Sequence, residues 1–484
     1  MSAELKTGGM DMSRQTLGAL GAVLMVGILG YLAAQQGEAN RLWAEPSSTG
    51  TDKPAHQPAA RLKEILRFEK KEGDEPERFL SVVFAPDDGQ RVYTTSFAPK
   101  SRQVFLRSWH VANRQPLWER AVATIEKDRN VPPGAFRLTI EPDGRWIAFN
   151  DYEKVQVWEV RDVVSEDKTL GIKSQLFQAG KKHGDLKVAV EGTNRWVHAV
   201  RVSPDGQRLA AVYSGQRITW WDVVWLGAYP PRIGFAQSFQ PGTNKREINA
   251  WDATCNQLGC LAFDPASGDP RSGRKFREIA VAGNYARIAF WNLETRKMVR
   301  HWQIHDPAKP DRDEGIVYDL DWMLVKDQLY WVSAHALGDH DLFTYGRGVR
   351  MVQNKDGQSE GFVLVWGDSG KKVARCQPLG AVLAVAVSPN DSWFVSGEFC
   401  KAWKVVPPDI AAGLPIPMRG KWVDFLDLPS HIYIWDISGR KLAVGEGHRM
   451  GVTDVAVSPD GKRIASCSAD GTLRVWEVPA TIRF

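Results

Sequence analysis

Three side chains near the C-terminus have the types that hydrolysis requires. His448, Ser466 and Asp470 could serve as base, nucleophile and orienting carboxylate, with Trp476 close behind. Such a set also needs donors for a developing oxyanion, and no segment marks them. A second group, His335, Asp339, His340 and Asp341, has ligand types suited to a divalent metal, although the same composition makes an ordinary polar loop. Asp319, Asp321 and Asp454 are carboxylates on or near apolar-alternating runs. Of five cysteines, Cys255 and Cys260 are near enough in sequence for a small disulfide loop in an oxidising compartment. Cys376, Cys400 and Cys467 fall on strand-like runs, where a free thiol packs as a small hydrophobe. No CxxC or CxxCH is present, which excludes zinc-ribbon and covalent c-type haem readings. No catalytic residue, bound metal or cofactor is expected.

The elements that must position these residues are short strands. Residues 447–478 read GHRMGVTDVAVSPDGKRIASCSADGTLRVWEV. Runs at Val452–Val457 and Arg463–Ser468 and a third ending on Trp476 are separated by Ser458-Pro459-Asp460-Gly461 and Asp470-Gly471. Proline presets φ for the first turn, and Asp-Gly tolerates the positive φ of a tight hairpin. Trp109, Trp158, Trp221, Trp291, Trp366 and Trp435 end comparable strands upstream. Proline turns precede most of them, at Pro86, Pro142, Pro204, Pro265 and Pro389. The fifth unit departs from this pattern with Leu324-Val325-Lys326-Asp327.

This order resembles the tryptophan–aspartate (WD) repeat, whose units are β-propeller blades. The resemblance covers residues 62–484 and implies an all-β, seven-bladed β-propeller of four-stranded antiparallel blades. It also implies that His448, Ser466 (or Ser468), Asp470 and Trp476 form a structural hydrogen-bonded tetrad instead of a hydrolytic site. In this family the outer strand of each blade follows the Trp-Asp strand. The expected outer strands are 117–121, 175–178, 233–239, 297–303, 372–377 and 441–445. The chain ends soon after Trp476, so the alternating piece 62–68 is expected to complete the last blade and close the ring.

The N-terminus is different in kind. Gln15–Gly37 holds no charged residue and is long enough for one transmembrane helix. A cleaved secretory signal is the competing reading, with sites after Ala34 or Ala39. Gly18 and Ala22, and Gly30 and Ala34, have the spacing that lets membrane helices approach closely. The domains are thus a tail at 1–14, an anchor at 15–37, a flexible linker at 38–61 and the propeller at 62–484. A short tail before one apolar span places the propeller outside the cytoplasm, periplasmic in a bacterium. Lys6 and Arg14 before the span nearly balance Arg41 and Lys53 after it, which leaves the cytoplasmic-facing alternative open. The net charge of +5 is spread without a basic block, so nucleic-acid binding is not indicated.

Function is expected in loops that exceed the basic repeat. Residues 336–361 and 400–430 both fall between second and third strands, in neighbouring blades five and six. The second insertion carries Ile410, Leu414, Ile416, Met418, Trp422 and Phe425 among four prolines, a composition suited to a partner surface. The expected function is a non-catalytic, membrane-tethered scaffold for protein partners, as an accessory subunit of a membrane complex. The alternative is an enzyme or a metal- or ligand-binding propeller that uses its central channel.

Overall fold

A computed structural model describes residues 59–482 apart from 70–75, 88, 113–114, 128–130, 132–133, 152–153, 161–162, 168–171, 178–180, 188–196, 214–216, 225–231, 234–236, 240–257, 269–275, 284–286, 304–315, 337–360 and 406–421. Strands that alternate apolar and polar residues cannot bury both faces in one sheet, so the sheets stack face to face in a ring. Seven four-stranded blades result, each antiparallel from the inner strand outwards. The inner strands are Arg78–Phe84, Leu138–Ile140, Val197–Val202, Leu258–Phe263, Ile316–Val325, Ala381–Val387 and Val452–Val457. Apolar side chains fill the gaps between blades, and all seven repeat tryptophans are buried there.

The turns after the inner strands tie neighbouring blades together. In Ser458-Pro459-Asp460-Gly461, the Gly461 N–H donates to the Ser458 carbonyl at 2.8 Å. Ser458 Oγ accepts from Arg463 N, and Asp460 Oδ1 from Lys462 N. Turns at Ser203 and Glu141 repeat the closing backbone bond at 2.8 Å. The turn glycine has positive φ and sits on the proline of the preceding blade: a Cβ on Gly144, at φ +67°, would lie 2.9 Å from Pro86 Cδ. In the sixth blade Asp391 takes the glycine's place at φ 56°. Blade five has no proline turn for a physical reason. Its two long strands meet in a two-residue loop, Lys326-Asp327, with both φ positive, which matches the twist of a tight hairpin.

Closure comes from the N-terminal side. Lys63–Glu69 pairs antiparallel with Thr472–Glu477 as the outer strand of the last blade, one residue beyond the expected 62–68. The segment before it also pairs. Ala60–Arg61 runs parallel to the outer strand of blade six, opposite Ala443 and Val444, and Leu62 is buried between blades six and seven. The expected linker 38–61 is therefore too long: residues 60 and 61 are strand, because free peptide groups on the rim of blade six accept them. One piece of chain straps two blades.

Blade two corrects another boundary. Its outer strand is Lys181–Lys187, paired with Lys154–Glu159. Residues 172–177, where an outer strand was expected to begin, instead form a hairpin with Val163–Asp167. Alternation alone could not rank these two runs. In blade three the outer strand is split into Arg232–Ile233 and Gln237–Phe239. Among the described residues no helix is long and apolar enough to cross a membrane. The anchor segment 15–37, with Gly18, Ala22, Gly30 and Ala34, lies outside the described residues.

Candidate interaction face and central channel

The set that looked hydrolytic is sealed inside blade seven. His448 and Ser466 have no exposed surface, and neither does Trp476. Trp476 Nε1 donates to Ser466 Oγ at 2.8 Å, and Ser466 Oγ lies 2.7 Å from His448 Nε2. His448 Nδ1 lies 3.3 Å from Asp470 Oδ2. Asp470 also accepts from Arg449 N and from the Thr472 hydroxyl, at 2.8 and 2.7 Å. Burial opposes ionisation of Asp470, but the bonds from His448, Thr472 and Arg449 outweigh it and hold the carboxyl below its ordinary range. Burial pushes His448 down, against the pull of Asp470. The network therefore reads as a neutral imidazole, Nδ1–H towards Asp470 and Nε2 accepting from Ser466. No substrate can reach this serine. Ser468, the alternative, instead donates to the Met450 carbonyl at 3.1 Å.

Other blades keep fragments of this arrangement. A hydroxyl accepts the tryptophan N–H at Thr94, Ser333 and Ser396 in blades one, five and six. In blade five the histidine comes from the same strand: His335 Nε2 lies 2.7 Å from Ser333 Oγ, and its ring stacks on Phe362. Burial, with Arg375 and Lys372 nearby, pushes His335 down to about 3. It therefore belongs to the core and not to a metal-binding loop; Asp339, His340 and Asp341 lie outside the described residues. In blade six Glu398 stands two residues after Ser396, fully buried, and its Oε2 is 2.9 Å from His431 Nδ1.

Cys260 corrects the disulfide expectation. It is a free, buried thiol whose Sγ approaches the Ala282 and Val317 carbonyls at 3.7 Å. It sits on the inner strand of blade four, facing blade five, and burial pushes its pKa up. Cys255 lies outside the described residues.

Both long insertions join second to third strands, from Ala336 to Gly361 and from Phe399 to Ser430. Ala336 pairs with Ile316 and Phe399 with Ala381, so both leave the ring at the end where inner strands begin. Part of the second insertion is a ribbon, Lys401–Val405 paired with Trp422–Asp427. Ala402-Trp403-Lys404-Val405 is thus no third strand of the blade, a role that Ser430–Trp435 fills. Trp422 pairs with Val405, while Phe425 falls at a register shift. Ile410, Leu414, Ile416 and Met418 lie outside the described residues.

The opposite end of the ring carries a cavity of about 560 Å³ in the central channel, lined from all seven blades. Its floor is an ion-pair network. Arg137 Nη2 from blade two reaches Asp319 of blade five at 2.6 Å and Asp454 of blade seven at 3.1 Å. Arg201 Nη2 from blade three holds the other Asp319 oxygen at 2.9 Å. Burial would weaken the charge on Arg137, but the two aspartates outweigh it and keep the guanidinium charged. The same carboxylates stitch adjacent inner strands, accepting from Val82 N at 3.1 Å (Asp454) and Val385 N at 3.0 Å (Asp319). Arg137 and Arg201 escaped sequence reading because their partners lie in other repeats. Stacking the repeats on their proline turns would have found Arg137 beside its two partners. The fifth residue before the proline is Ser81, Arg137, Ala199, Cys260, Ala384 and Asp454, and Asp319 fills that place in blade five.

Comparison with known proteins agrees with this geometry. Residues 439–477 match the family model described as WD domain, G-beta repeat. The matched segment is blade six's outer strand, with the end of the turn before it, and the first three strands of blade seven. Striatin-4 of Homo sapiens is 37% identical over 101 residues, which is 20% of this chain and 11% of that protein. Striatin-4 of Mus musculus is 35% identical over the same extent. The chain thus spans about a tenth of the length of these curated relatives. The likeness holds at the level of a WD repeat, and the seven blades are read from the fold.

Proposed function

We propose that this protein is a non-catalytic scaffold that binds protein partners on the face carrying the blade-five and blade-six insertions. The observation behind this reading is where the chain spends its surplus. Its catalytic-looking residues are buried as architecture, whereas long connections leave two adjacent blades at one end of the ring. Loops on a rigid ring suit recognition, since the ring fixes their bases at no entropic cost on binding. The apolar and proline-rich composition of residues 406–425 suits a partner surface of low ordering cost.

The apolar segment 15–37 extends the proposal: it tethers the ring to a membrane, on the extracytoplasmic side, as an accessory subunit of a membrane complex. Replacing residues 406–421 with a short Gly-Ser linker is the direct test. A stoichiometric partner should be lost from detergent pull-downs, with the melting temperature unchanged. Retention of the partner would refute the chosen face. Carbonate extraction of membranes tests the tether separately; release of the intact chain would remove it.

A further inference from the structure

The outer wall of blade five carries a crevice that the packing of the ring leaves unfilled. It holds about 230 Å³ and is lined by Phe362 and Leu364 of the third strand and by residues 372–375 of the outer strand. The register explains its shape. Arg375 pairs with Leu364 and Lys372 with Trp366, and a bulge between them turns Val373 outward, 46% exposed. Both cations therefore stand on the face that looks towards blade four, over the apolar row Phe362, Leu364 and Trp366. Arg375 Cζ lies 3.9 Å from the centre of the Phe362 ring, and Lys372 Nζ lies 5.7 Å from that of Trp366. Leu364 is the floor between them.

The surrounding wall is basic. Asp368, the acid of the adjoining turn, is held by Arg300 at 3.0 Å. Among the described residues no ion pair joins a carboxylate to Arg375. Neither Lys372–Cys376 nor the neighbouring outer strand, Lys297–Gln303, contains an acid. On the outer strands of blades one, six and seven a glutamate accompanies the cations, at Glu119, Glu446 and Glu64.

From this geometry we infer that the crevice is a docking site for an acidic segment of a partner protein, which lays one apolar side chain over Leu364 and carboxylates against Lys372 and Arg375. An apolar floor between two cations suits that combination and rejects a basic segment by like charge. An arginine already lying on a phenyl ring has its fork oriented for a carboxylate, so little ordering is lost on binding. The volume falls below that of cavities that enclose whole small molecules, and suits a single side chain. This site lies on the outer wall and stands independently of the insertion face proposed above.

Fluorescence anisotropy of the full chain in detergent with a labelled peptide, Asp-Glu-Leu-Asp-Glu-Gly, tests the inference. The controls are the same peptide with glycine for leucine, the same peptide with Asn and Gln for its acids, and a deoxythymidine oligomer of equal charge. The acidic leucine peptide should bind at least tenfold more tightly than each control, and more weakly as sodium chloride is raised. Lys372→Glu combined with Arg375→Glu should weaken it at least tenfold. Arg120→Glu, on the outer strand of blade one, should leave it unchanged. All three side chains are exposed, so the melting curves should match the parent's. Equal binding of the glycine peptide or of the oligomer would reduce the crevice to a general attraction for anions and overturn the site. Absence of binding at millimolar peptide would overturn it as well. The peptide comparisons use the parent chain, so misfolding of a variant cannot mask the answer.

Discussion

At the residue scale, the chain shows how the same three side-chain types serve structure or catalysis according to access. His448, Ser466 and Asp470 sit in a hydrogen-bonded row that ends on an indole, with no exposed surface on the histidine or the serine. Asp470→Ala leaves His448 and the Arg449 amide half satisfied, and should cost about 2–4 kcal/mol in urea unfolding. A loss under about 0.5 kcal/mol would deny the tetrad its bracing role. Acid should expose the same network. His448 is pushed down in the folded ring, so the unfolded chain takes up a proton there first, below about pH 6.5. Asp470 is held below its ordinary range, so its stabilisation is present above about pH 4 and is lost as pH falls further. Asp321 runs the other way. Its raised pKa means the folded state holds the extra proton, so its contribution worsens as pH rises from about 4 through 6. Stability of Asp321→Asn relative to the parent should therefore be greatest above pH 6. A difference independent of pH would contradict this assignment.

At the element scale, turns and the closing strap hold the blades in register. In blades one, two, three and seven the turn glycine packs against the proline of the turn before it, so these blades set their angle on the preceding one. Gly144→Ala places a Cβ against Pro86 at positive φ, and should destabilise by about 1–3 kcal/mol, read as a lower melting temperature. The strap is more exacting. Removing residues 60–69 opens the edge of Thr472–Glu477 and takes Leu62 and Phe68 from two apolar clusters. The truncated ring should melt lower and associate through its open edge, seen as a mass that rises with concentration. An unchanged melt would refute closure by this segment. These elements were legible because each has a local cause: Pro-Asp-Gly for a turn, alternation for a strand, an orphan strand for closure. The outer strand of blade two was not, because residues 163–187 hold three strand-like runs and only pairing decides among them.

At the scale of the whole molecule, blade count and inter-blade packing followed from repetition, but the channel did not. Arg137 meets Asp319 and Asp454 across 182 and 317 residues of sequence, and no local pattern announces such a contact. Arg137→Met leaves buried Asp454 without a cation and Asp319 with Arg201 alone, and should cost about 3–5 kcal/mol. The proposed partner face was legible only as surplus length. Its bases and ribbon are in the structure, and the residues at its centre are not among those described. Two ends of one ring thus differ in kind: one bears long insertions, the other a charged cavity. Cross-linking mass spectrometry on the protein in intact cells tests the scaffold reading most directly. Links should run from Lys401, Lys404 and Lys421 in the blade-six insertion to a single partner protein. Links confined to the opposite end, at Lys326 and Lys462 in the turns after the inner strands, would contradict it.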